Sequence, residues 1–351
     1  MSESTTTSQN IAIIGAGITG LSCAYALLKD GHTITLYDPE GFPADNASLM
    51  AGGMLAPYAE IEHMPHEWIQ AGLDSIAFWS DFANQHNVDF HQNGSLLIAH
   101  DEDAYILKRF EEHLPQNKKQ RAITAEFEPA LAKKFPNGLY LSEEAHINPA
   151  PTMNTLCNAL KEQGANFILE KADPQKLSQN YDHVIDCRGM GAAWEDPNLR
   201  GVKGELLIVR NTEFSLTRPV RLMHPRYPLY IVPRPDHIFM IGATIIESSD
   251  NTGVSVRSGL ELLSALYSLD TSFGDAEIIE IKAGIRPAYS DNLPYIQIDK
   301  NIIHCNGLFR HGFMLSPTIG RCVADHISDG KNNFLKMLKK DQNENNTQRA
   351  A

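Results

Sequence analysis

The first forty residues alternate apolar runs with glycine-bearing turns, and this pattern predicts a strand, a helix and a second strand. The run "IAII" (Ile11–Ile14) is apolar throughout, which is typical of a strand buried on both faces. "LSCAYALLKDG" has helical spacing and ends at Gly31, a common helix stop. "TITLYD" (Thr33–Asp38) is β-branched and apolar. The pattern therefore predicts one βαβ unit.

Further along the chain, strand-like and helix-like segments follow one another in an order that indicates two domains. Strands are predicted at "GSLLIAH", "GLYLS", "NFILE" and "HVIDCRG", and helices at His66–Asn84 and from near Pro151. After Gly201 the strand-like runs are "GELLIVR", "LYIVPR", "IFMIGAT" and "IIEIKAG", with the helical "SVRSGLELLSALYSL" between the last two. The segment "NIIHCNGLFRHGFMLSPTIGRCVADHI" predicts a strand, a turn and a helix beginning near Ser316 or Pro317.

We therefore expect an α/β fold with a Rossmann-type nucleotide-binding domain and an inserted α+β domain that has a mostly antiparallel sheet. The predicted nucleotide domain is discontinuous and comprises residues 1–85, 146–200 and 296–335. The inserted domain, expected to bind the substrate, comprises residues 86–145 and 201–295. The polar segment 336–351 is expected to be a flexible tail.

Composition narrows the class of protein. The chain has 351 residues, 42% hydrophobic and 21% charged, with a net charge of −13, which argues against a nucleic-acid partner. No apolar stretch approaches the roughly 18 residues that cross a bilayer, and the polar N-terminus does not resemble a signal peptide, so we expect a cytoplasmic protein without a membrane partner.

Neither the cysteines nor the histidines show metal-ligand spacing. The five cysteines are widely spaced without a CxxC pair and are expected to be buried or idle thiols: Cys23, Cys157, Cys187, Cys305 and Cys322. His224 lies between Arg221 and Arg226, a polar cluster that we interpret as loop structure or an interface. We therefore expect no metal site.

The first candidate site is the glycine turn that follows the first strand. Gly15, Gly17 and Gly20 permit a tight turn, the approach of a pyrophosphate to a helix N-terminus, and close helix–strand packing. Asp38 ends the next strand, where a carboxylate can accept hydrogen bonds from a ribose. The alternative is a glycine turn with an incidental surface acid, and the motif alone leaves NAD and FAD open.

Two glycine-bearing loops are further candidates. In "SLMAGGMLAP", Ser48 can donate to a phosphate, Gly52 and Gly53 expose backbone N–H groups, and Met54 can lie against a flat ring. The alternative is a flexible loop before a helix. In "NGLFRHGFMLSP", Arg310 and His311 lie between two glycines and form a further candidate site. The alternative is that this segment simply connects a strand to a helix, with the arginine solvated.

Arg286 and Tyr230 are the candidates for binding a substrate carboxylate. Arg286 lies in a small, apolar stretch, "KAGIRPAYSDNLP", and a buried arginine keeps its charge and needs an anion. That anion is either a ligand or a nearby acid such as Asp291. Tyr230 on a predicted strand is either a packed core aromatic or a hydroxyl donor to the same carboxylate.

The ordered series "AGGMLAP", "VKGE", "RP…HPR…PLYIVPR…MIGAT" and "AGIRPA…DNLP…NGLFRHGF" resembles the D-amino-acid oxidase superfamily of flavoproteins, and most closely the glycine oxidases of the thiamine pathway. The resemblance covers about Ile11 to Ile327. It implies an FAD enzyme that self-associates, so we expect a homo-oligomer. Cys305 and Cys322 do not match the position of covalent flavin attachment in related sarcosine oxidases, so FAD is expected to be noncovalent.

The resemblance also assigns roles to individual residues. It implies FAD contacts at Gly15, Ala16, Gly17, Ile18, Thr19, Gly20, Asp38, Ala47, Ser48, Gly52, Gly53, Met54, Leu308, Phe309, Arg310, His311, Gly312, Phe313 and Met314. It implies that Arg286 and Tyr230 hold the substrate carboxylate and that Arg310 reaches the substrate side. The family usually contacts adenine through a backbone N–H, whereas the matching residue here is Pro174, which has none.

The activity implied is oxidative deamination of glycine by hydride transfer to FAD, with reoxidation by O₂ to give H₂O₂ and iminoglycine for the thiazole of thiamine. Sarcosine or small D-amino acids remain open as substrates. Two alternatives also remain open. One is a D-amino-acid or sarcosine dehydrogenase that uses a quinone or another acceptor, and the other is a non-catalytic flavin-binding interaction protein.

Overall fold

The computed structural model describes residues 7–226, 228–328 and 332–338, and these residues form two compact units. The first unit contains the described residues up to Ser48 together with Met153–Arg200 and those from Arg286 onward. The second contains Leu49–Thr152 and Gly201–Ile285, with Tyr227 outside the description. These units differ from the predicted domains in residues 49–85, 146–152 and 286–295, and the predicted cofactor-binding and substrate-binding domains remain a prediction.

The strands and helices of the described residues are numbered in chain order. The strands are β1 Asn10–Ile14, β2 Thr33–Tyr37, β3 Met54–Leu55, β4 Phe90–His91, β5 Ser95–Ile98, β6 Arg121–Ile123, β7 Asn137–Leu141, β8 Ala145–Ile147, β9 Asn166–Ile168, β10 His183–Asp186, β11 Arg200–Arg210, β12 Val220–Leu222, β13 Leu229–Arg234, β14 Ile238–Gly242, β15 Ile246–Glu247, β16 Glu277–Ala288, β17 Tyr295–Asp299 and β18 Ile302–Asn306. The helices are α1 Ile18–Lys29, α2 Ile69–His86, α3 Ala104–His113, α4 Thr124–Phe127, α5 Pro149–Glu162, α6 Pro174–Leu177, α7 Val256–Leu269, α8 Gly312–Ser328 and α9 Asn333–Leu338.

The first unit is built on a sheet in the order β17-β18-β10-β1-β2-β9, parallel except for the antiparallel edge strand β17. β1 lies inside this sheet, where Ile11 pairs with Ile34 on one side and His183 on the other. Ile11 and Ile13 are fully buried, as the apolar run predicts. The predicted βαβ unit is confirmed, and it places the turn after β1 at the carboxyl edge of the sheet, where ligands of open α/β sheets bind.

The second unit contains a large sheet in the order β15-β11-β14-β13-β12-β5-β7-β6, with β16 also paired to β11. Along the order from β15 to β6 the described pairings are antiparallel except for β12 with β5, so the predicted, mostly antiparallel sheet is confirmed. A small sheet, β3-β8-β4, accompanies it. One face of the large sheet packs on α7 through Leu262, Leu266 and Leu269.

The predicted start of the last long helix was wrong. α8 begins at Gly312, not near Ser316 or Pro317, and Leu315 N already donates to His311 O at 2.8 Å. Pro317 is the sixth residue of the helix, where its missing N–H costs one backbone hydrogen bond without ending the helix. Residues 336–338 of the predicted tail complete α9, and residues 339–351 lie outside the described residues.

We find no helix among the described residues that is both long enough and apolar enough to span a bilayer.

Candidate cofactor and substrate sites

The turn after β1 is packed so tightly that two of its glycines have no room for a side chain. Gly15 has φ +105°, and a Cβ built there would lie 2.4 Å from Cys187 O. A Cβ on Gly20 would lie 1.9 Å from Gly15 O, because α1 approaches the turn backbone to backbone. The predicted reason for both glycines, a tight turn and close helix–strand packing, agrees with this geometry.

The N-terminus of α1 is suited to a phosphate. Gly17 provides no side-chain cap, and the first turn carries no acidic residue. Ile18 N donates to Ser48 Oγ at 3.1 Å, which leaves the hydroxyl proton of Ser48 available for a ligand. Ser48 N in turn donates to Asn46 Oδ1 at 2.9 Å, so the segment that contains Ala47 is held beside the helix. Backbone N–H groups and the helix dipole both favour an anion here.

Asp38 lies where a hydrogen-bond acceptor for a ribose hydroxyl is needed. Its Oδ2 accepts from Ala16 N at 2.7 Å and its Oδ1 from Glu40 N at 2.8 Å, although the residue is buried. These bonds fix the carboxylate beside the glycine turn and leave each oxygen a second lone pair. The glycine turn, the open helix N-terminus and Asp38 together fit the pyrophosphate and ribose of a dinucleotide such as FAD.

Thr19 and Pro174 have local roles in the first unit. Thr19 Oγ1 lies 3.1 Å from Ser316 Oγ and so links α1 to α8. Pro174 is the first residue of α6, and Asp173 caps that helix by accepting from Gln175 N at 2.9 Å. Proline suits the first helical position, where an N–H has no partner within the helix. The adenine contact at Pro174 remains a prediction.

In the first unit, Arg286 lies beside the turn that contains Arg310. Phe309 N donates to Pro287 O at 2.9 Å, and the Arg286 guanidinium carbon lies 5.9 Å from the centre of the Phe309 ring. Phe309 has φ +48°, an unusual value for a large residue, so the surrounding contacts hold this turn in place. The buried residues of the segment are Leu308, His311, Phe313 and Met314. The structure thus brings Arg286 next to the segment Leu308–Met314.

Asp291, the acid considered as a partner of Arg286, has other contacts. Its carboxylate accepts from Leu293 N at 3.0 Å and from the Tyr295 hydroxyl. These two bonds hold the turn before β17.

In the second unit, Tyr230 lies between two glycines. Gly242 pairs with it across β13 and β14, and a Cβ on Gly242 would lie 2.6 Å from the Tyr230 hydroxyl oxygen. A Cβ on Gly52 would lie 3.2 Å from Cε2 of the same ring. Tyr230 is half-buried. The absence of side chains at both glycines therefore makes room for this ring.

The Gly52–Met54 segment, which we call the glycine-pair loop, is fixed within the second unit. Arg234 Nη2 donates to Gly52 O at 2.6 Å, and Ile147 N donates to Gly53 O at 2.9 Å. Met54 begins β3 and pairs with His146 on β8. The loop is therefore anchored by backbone carbonyls and not left flexible as the alternative interpretation had it.

Two residues beside this loop were missed by the sequence analysis. Burial lowers the pKa of the Arg234 guanidinium to about 10. Burial, followed by the charge of Arg234, lowers the pKa of His146 to about 3, and its buried Nδ1 has no hydrogen-bond partner. Alternation along "LYIVPR" would have flagged Arg234, because it places Tyr230 and Arg234 on one face of the strand.

The cluster around His224 belongs to the scaffold. Arg221 Nη2 lies 2.6 Å from Glu60 Oε1, and its Nη1 donates to Ala59 O at 2.5 Å. His224 Nδ1 accepts from Arg226 N at 3.1 Å. The Arg221 contacts tie β12 to the segment 59–60, and the bond between Arg226 and His224 lies within the loop after β12.

Three cysteines that are far apart in sequence meet in the first unit. The Sγ atoms of Cys23, Cys187 and Cys305 lie within 4.8 Å of one another, and all three residues are buried. Such thiols pack as small hydrophobic groups, and the expectation that they are idle remains a prediction.

A cavity of about 950 Å³ in the second unit is lined by none of the predicted site residues. Its buried cation, Lys203, donates to Gly253 O at 2.9 Å and lies 3.7 Å from Glu205. Glu205 accepts from Ser255 N at 3.1 Å. These contacts hold the chain after β15 against β11, so we assign no ligand to the cavity.

Comparison with known proteins agrees with the cofactor geometry. The profile of the DAO family, described as FAD dependent oxidoreductase, matches residues 10–326. A Rhizobium etli protein named as a thiamine biosynthesis oxidoreductase, ThiO, is 39% identical over 319 residues, which is 90% of this chain and 96% of that protein. A glycine oxidase of Bacillus licheniformis is 26% identical, with 90% of this chain and 92% of the relative aligned.

Solved structures show the same fold. The crystal structure of glycine oxidase from Geobacillus kaustophilus superposes with a TM-score of 0.82 at 23% identity and covers 96% of this chain and 99% of that one. L-proline dehydrogenase from P. horikoshii has the same TM-score at 18% identity and covers 97% of this chain and 98% of that chain. The fold therefore serves oxidation of more than one amino acid.

Proposed function

Because the chain belongs to the DAO family of FAD-dependent oxidoreductases, we propose that it oxidatively deaminates glycine. Its membership makes it an amino-acid-oxidase-like flavoenzyme. The observation that carries the proposal is Arg286, a permanent cation held beside the Phe309 turn. A guanidinium in that position suits the carboxylate of an amino acid. The name of the Bacillus licheniformis relative, glycine oxidase, supports glycine among the small amino acids.

FAD contacts are proposed at the glycine turn with Asp38, the Ala47–Ser48 segment, the Leu308–Met314 segment and the glycine-pair loop. We propose that the N–H groups at the start of α1 and the Ser48 hydroxyl bind the pyrophosphate, and that Asp38 accepts from the ribose. FAD, when bound, supplies the acceptor for the hydride that leaves the substrate Cα, and we propose that O₂ takes the electrons to give H₂O₂.

The proposed role of the substrate residues is positioning. Arg286 binds the carboxylate with two parallel hydrogen bonds, which fixes both the place and the rotation of a small substrate. Tyr230 donates its hydroxyl proton to a carboxylate oxygen, and Arg310 lies on the substrate side. No side-chain base is required, because the substrate amine can lose its proton to water before the reaction. Correct orientation of a bound reactant alone can remove a large part of the barrier.

We propose that the product imine feeds the assembly of the thiazole of thiamine, which the name of the Rhizobium etli relative supports. Sarcosine and small D-amino acids remain alternative substrates. The alternative electron acceptor is a quinone, in which case the enzyme is a dehydrogenase. A substrate panel on the flavin-loaded protein, read by both an oxygen electrode and a quinone-coupled dye assay, separates these outcomes.

The decisive test compares peroxide release from glycine in wild type, Arg286→Ala and Arg286→Lys. We expect Arg286→Ala to lose roughly 2–5 kcal/mol of transition-state stabilisation, which is a fall of ~30-fold or more in kcat/KM. Arg286→Lys should recover part of this loss, since it keeps the charge without the bidentate geometry. Arg210→Ala is the control, because Arg210 is an exposed arginine paired with Glu277 at 2.7 Å. An unchanged kcat/KM in Arg286→Ala with full flavin content would remove Arg286 from the site.

A further inference from the structure

Arg234 is a partly buried cation without a matching carboxylate. Its Nη2 donates to Gly52 O at 2.6 Å and its Nη1 to Pro233 O at 3.3 Å. In the described part of the chain, no carboxylate lies within ion-pair distance of it. Arg218, just before β12, and Arg221, on β12, in contrast pair with Glu128 and Glu60 at 3.0 and 2.6 Å.

Arg234 stays positively charged, and the groups around it do not neutralise that charge. Burial lowers the pKa of Arg234 only to about 10, so it is charged at neutral pH. His146 has its pKa lowered to about 3 and is neutral there. The charge of Asp89 favours the charged form of Arg234, but the Asp89 carboxylate is itself 2.7 Å from His91 Nε2. A positive charge that is not neutralised by an ion pair therefore remains beside the Gly52 carbonyl.

Arg234 and Tyr230 act on the same loop from one face of β13. They are four residues apart on the strand, so both side chains point to the same side. The Tyr230 ring borders Gly52, while the Arg234 guanidinium holds the Gly52 carbonyl. β13 thus supplies both a candidate substrate contact and the anchor of the glycine-pair loop.

We propose that Arg234 is a positioning residue for the flavin, which fixes the glycine-pair loop against the ring system and favours the negatively charged, reduced state of the cofactor. The proposal rests on the proposed contact between this loop and FAD. With FAD bound, a cation hydrogen-bonded to a carbonyl of that loop would stabilise negative charge on the ring, since burial weakens screening by water. Carbonyl oxygens, unlike a carboxylate, do not cancel that charge.

Two variants separate the charge from the hydrogen bond. Arg234→Gln removes the charge and retains an N–H donor only at the position of the arginine Nε, whereas Arg234→Lys keeps the charge and a donor on a side chain that reaches further. Arg210→Gln is the matched control, because Arg210 is exposed and paired with Glu277. Each holoenzyme is measured for FAD dissociation constant, midpoint potential of the bound flavin, thermal unfolding and glycine kinetics.

We expect the two-electron reduction of bound flavin in Arg234→Gln to become less favourable by about tenfold or more, and tenfold corresponds to about 30 mV. Arg234→Lys should keep a potential close to that of wild type, with FAD bound more weakly because its single ammonium cannot reproduce the fork of arginine. Arg210→Gln should change neither quantity. A purely structural role would lower thermal stability in both Arg234 variants without this difference in potential.

A wild-type potential in flavin-loaded Arg234→Gln would overturn the proposal. So would a rise in KM for glycine alone, since that result would make Arg234 a substrate ligand. If Arg234→Gln does not take up FAD, the flavin potential of Arg234→Lys becomes the test. A tenfold loss in the equilibrium constant for flavin reduction in that variant would overturn the proposal. Potential and FAD affinity require no substrate, so failure of wild type to oxidise glycine would refute the proposed function and leave this test intact.

Discussion

Gly242→Ala should displace the Tyr230 hydroxyl without unfolding the protein. A methyl group at this position would lie 2.6 Å from the hydroxyl oxygen, 2.7 Å from Cζ and 3.0 Å from Cε2 of Tyr230. Ordinary contacts of a Cβ begin at 3.4 Å, so the hydroxyl oxygen must move by about 0.8 Å or the strands must part.

The expected cost lies in catalysis more than in stability. A misplacement of about 1 Å in a positioning group can reduce a rate by ~100-fold, so we expect a fall in kcat/KM of about that order. Tyr230→Phe removes the hydroxyl outright, and the lost hydrogen bond to a charged carboxylate is worth about 1.5–3 kcal/mol. Both substitutions act on the Tyr230 hydroxyl, so the loss in kcat/KM of the double variant Tyr230→Phe/Gly242→Ala should be much smaller than the two single losses combined.

The assay is glycine-dependent peroxide release, with flavin content and thermal unfolding measured on the same samples. Gly259→Ala is the matched control, because a Cβ there meets nothing within 4 Å. If Gly242→Ala keeps wild-type kcat/KM and flavin content, Tyr230 does not contact the substrate. Additive losses in the double variant would equally refute a shared mechanism.

The sequence predicted the elements whose signals are local. β1 is apolar at Ile11–Ile14, α1 is followed by Gly31 with φ +86°, and β2 is β-branched, so each could be recognised without its neighbours. The start of α8 was misplaced because Pro317 resembles a first-turn proline. In the structure the helix is already formed before it, through the bond from Leu315 N to His311 O.

The contacts that matter most in the candidate sites join residues far apart in the chain. Arg234 and Gly52 are 182 residues apart, so no pattern within "LYIVPR" shows which carbonyl the guanidinium holds. Alternation does place Arg234 on the face of Tyr230, but only the fold shows that its charge is unmatched. The same holds for the three clustered thiols, which the fold brings together from α1, the end of β10 and β18.

Two further predictions concern packing and pH. Gly20→Ala would place a methyl 1.9 Å from Gly15 O, so we expect a loss of about 1–3 kcal/mol in stability and a much weaker FAD complex, as measured by thermal unfolding and flavin titration; wild-type FAD affinity would contradict this. Glu144 is fully buried, and burial raises its pKa from 4.5 to about 7 although it accepts from Ala59 N at 2.7 Å and from the Ser95 hydroxyl. The folded state therefore binds a proton that the unfolded state releases between about pH 4.5 and 7, so this group's contribution to stability falls as the pH rises through that window. The full difference is about 3 kcal/mol, and Glu144→Gln, which keeps an acceptor and a donor, should remove it. Urea unfolding at several pH values across that window would detect the loss of slope, and parallel curves for variant and wild type would show that Glu144 does not titrate there.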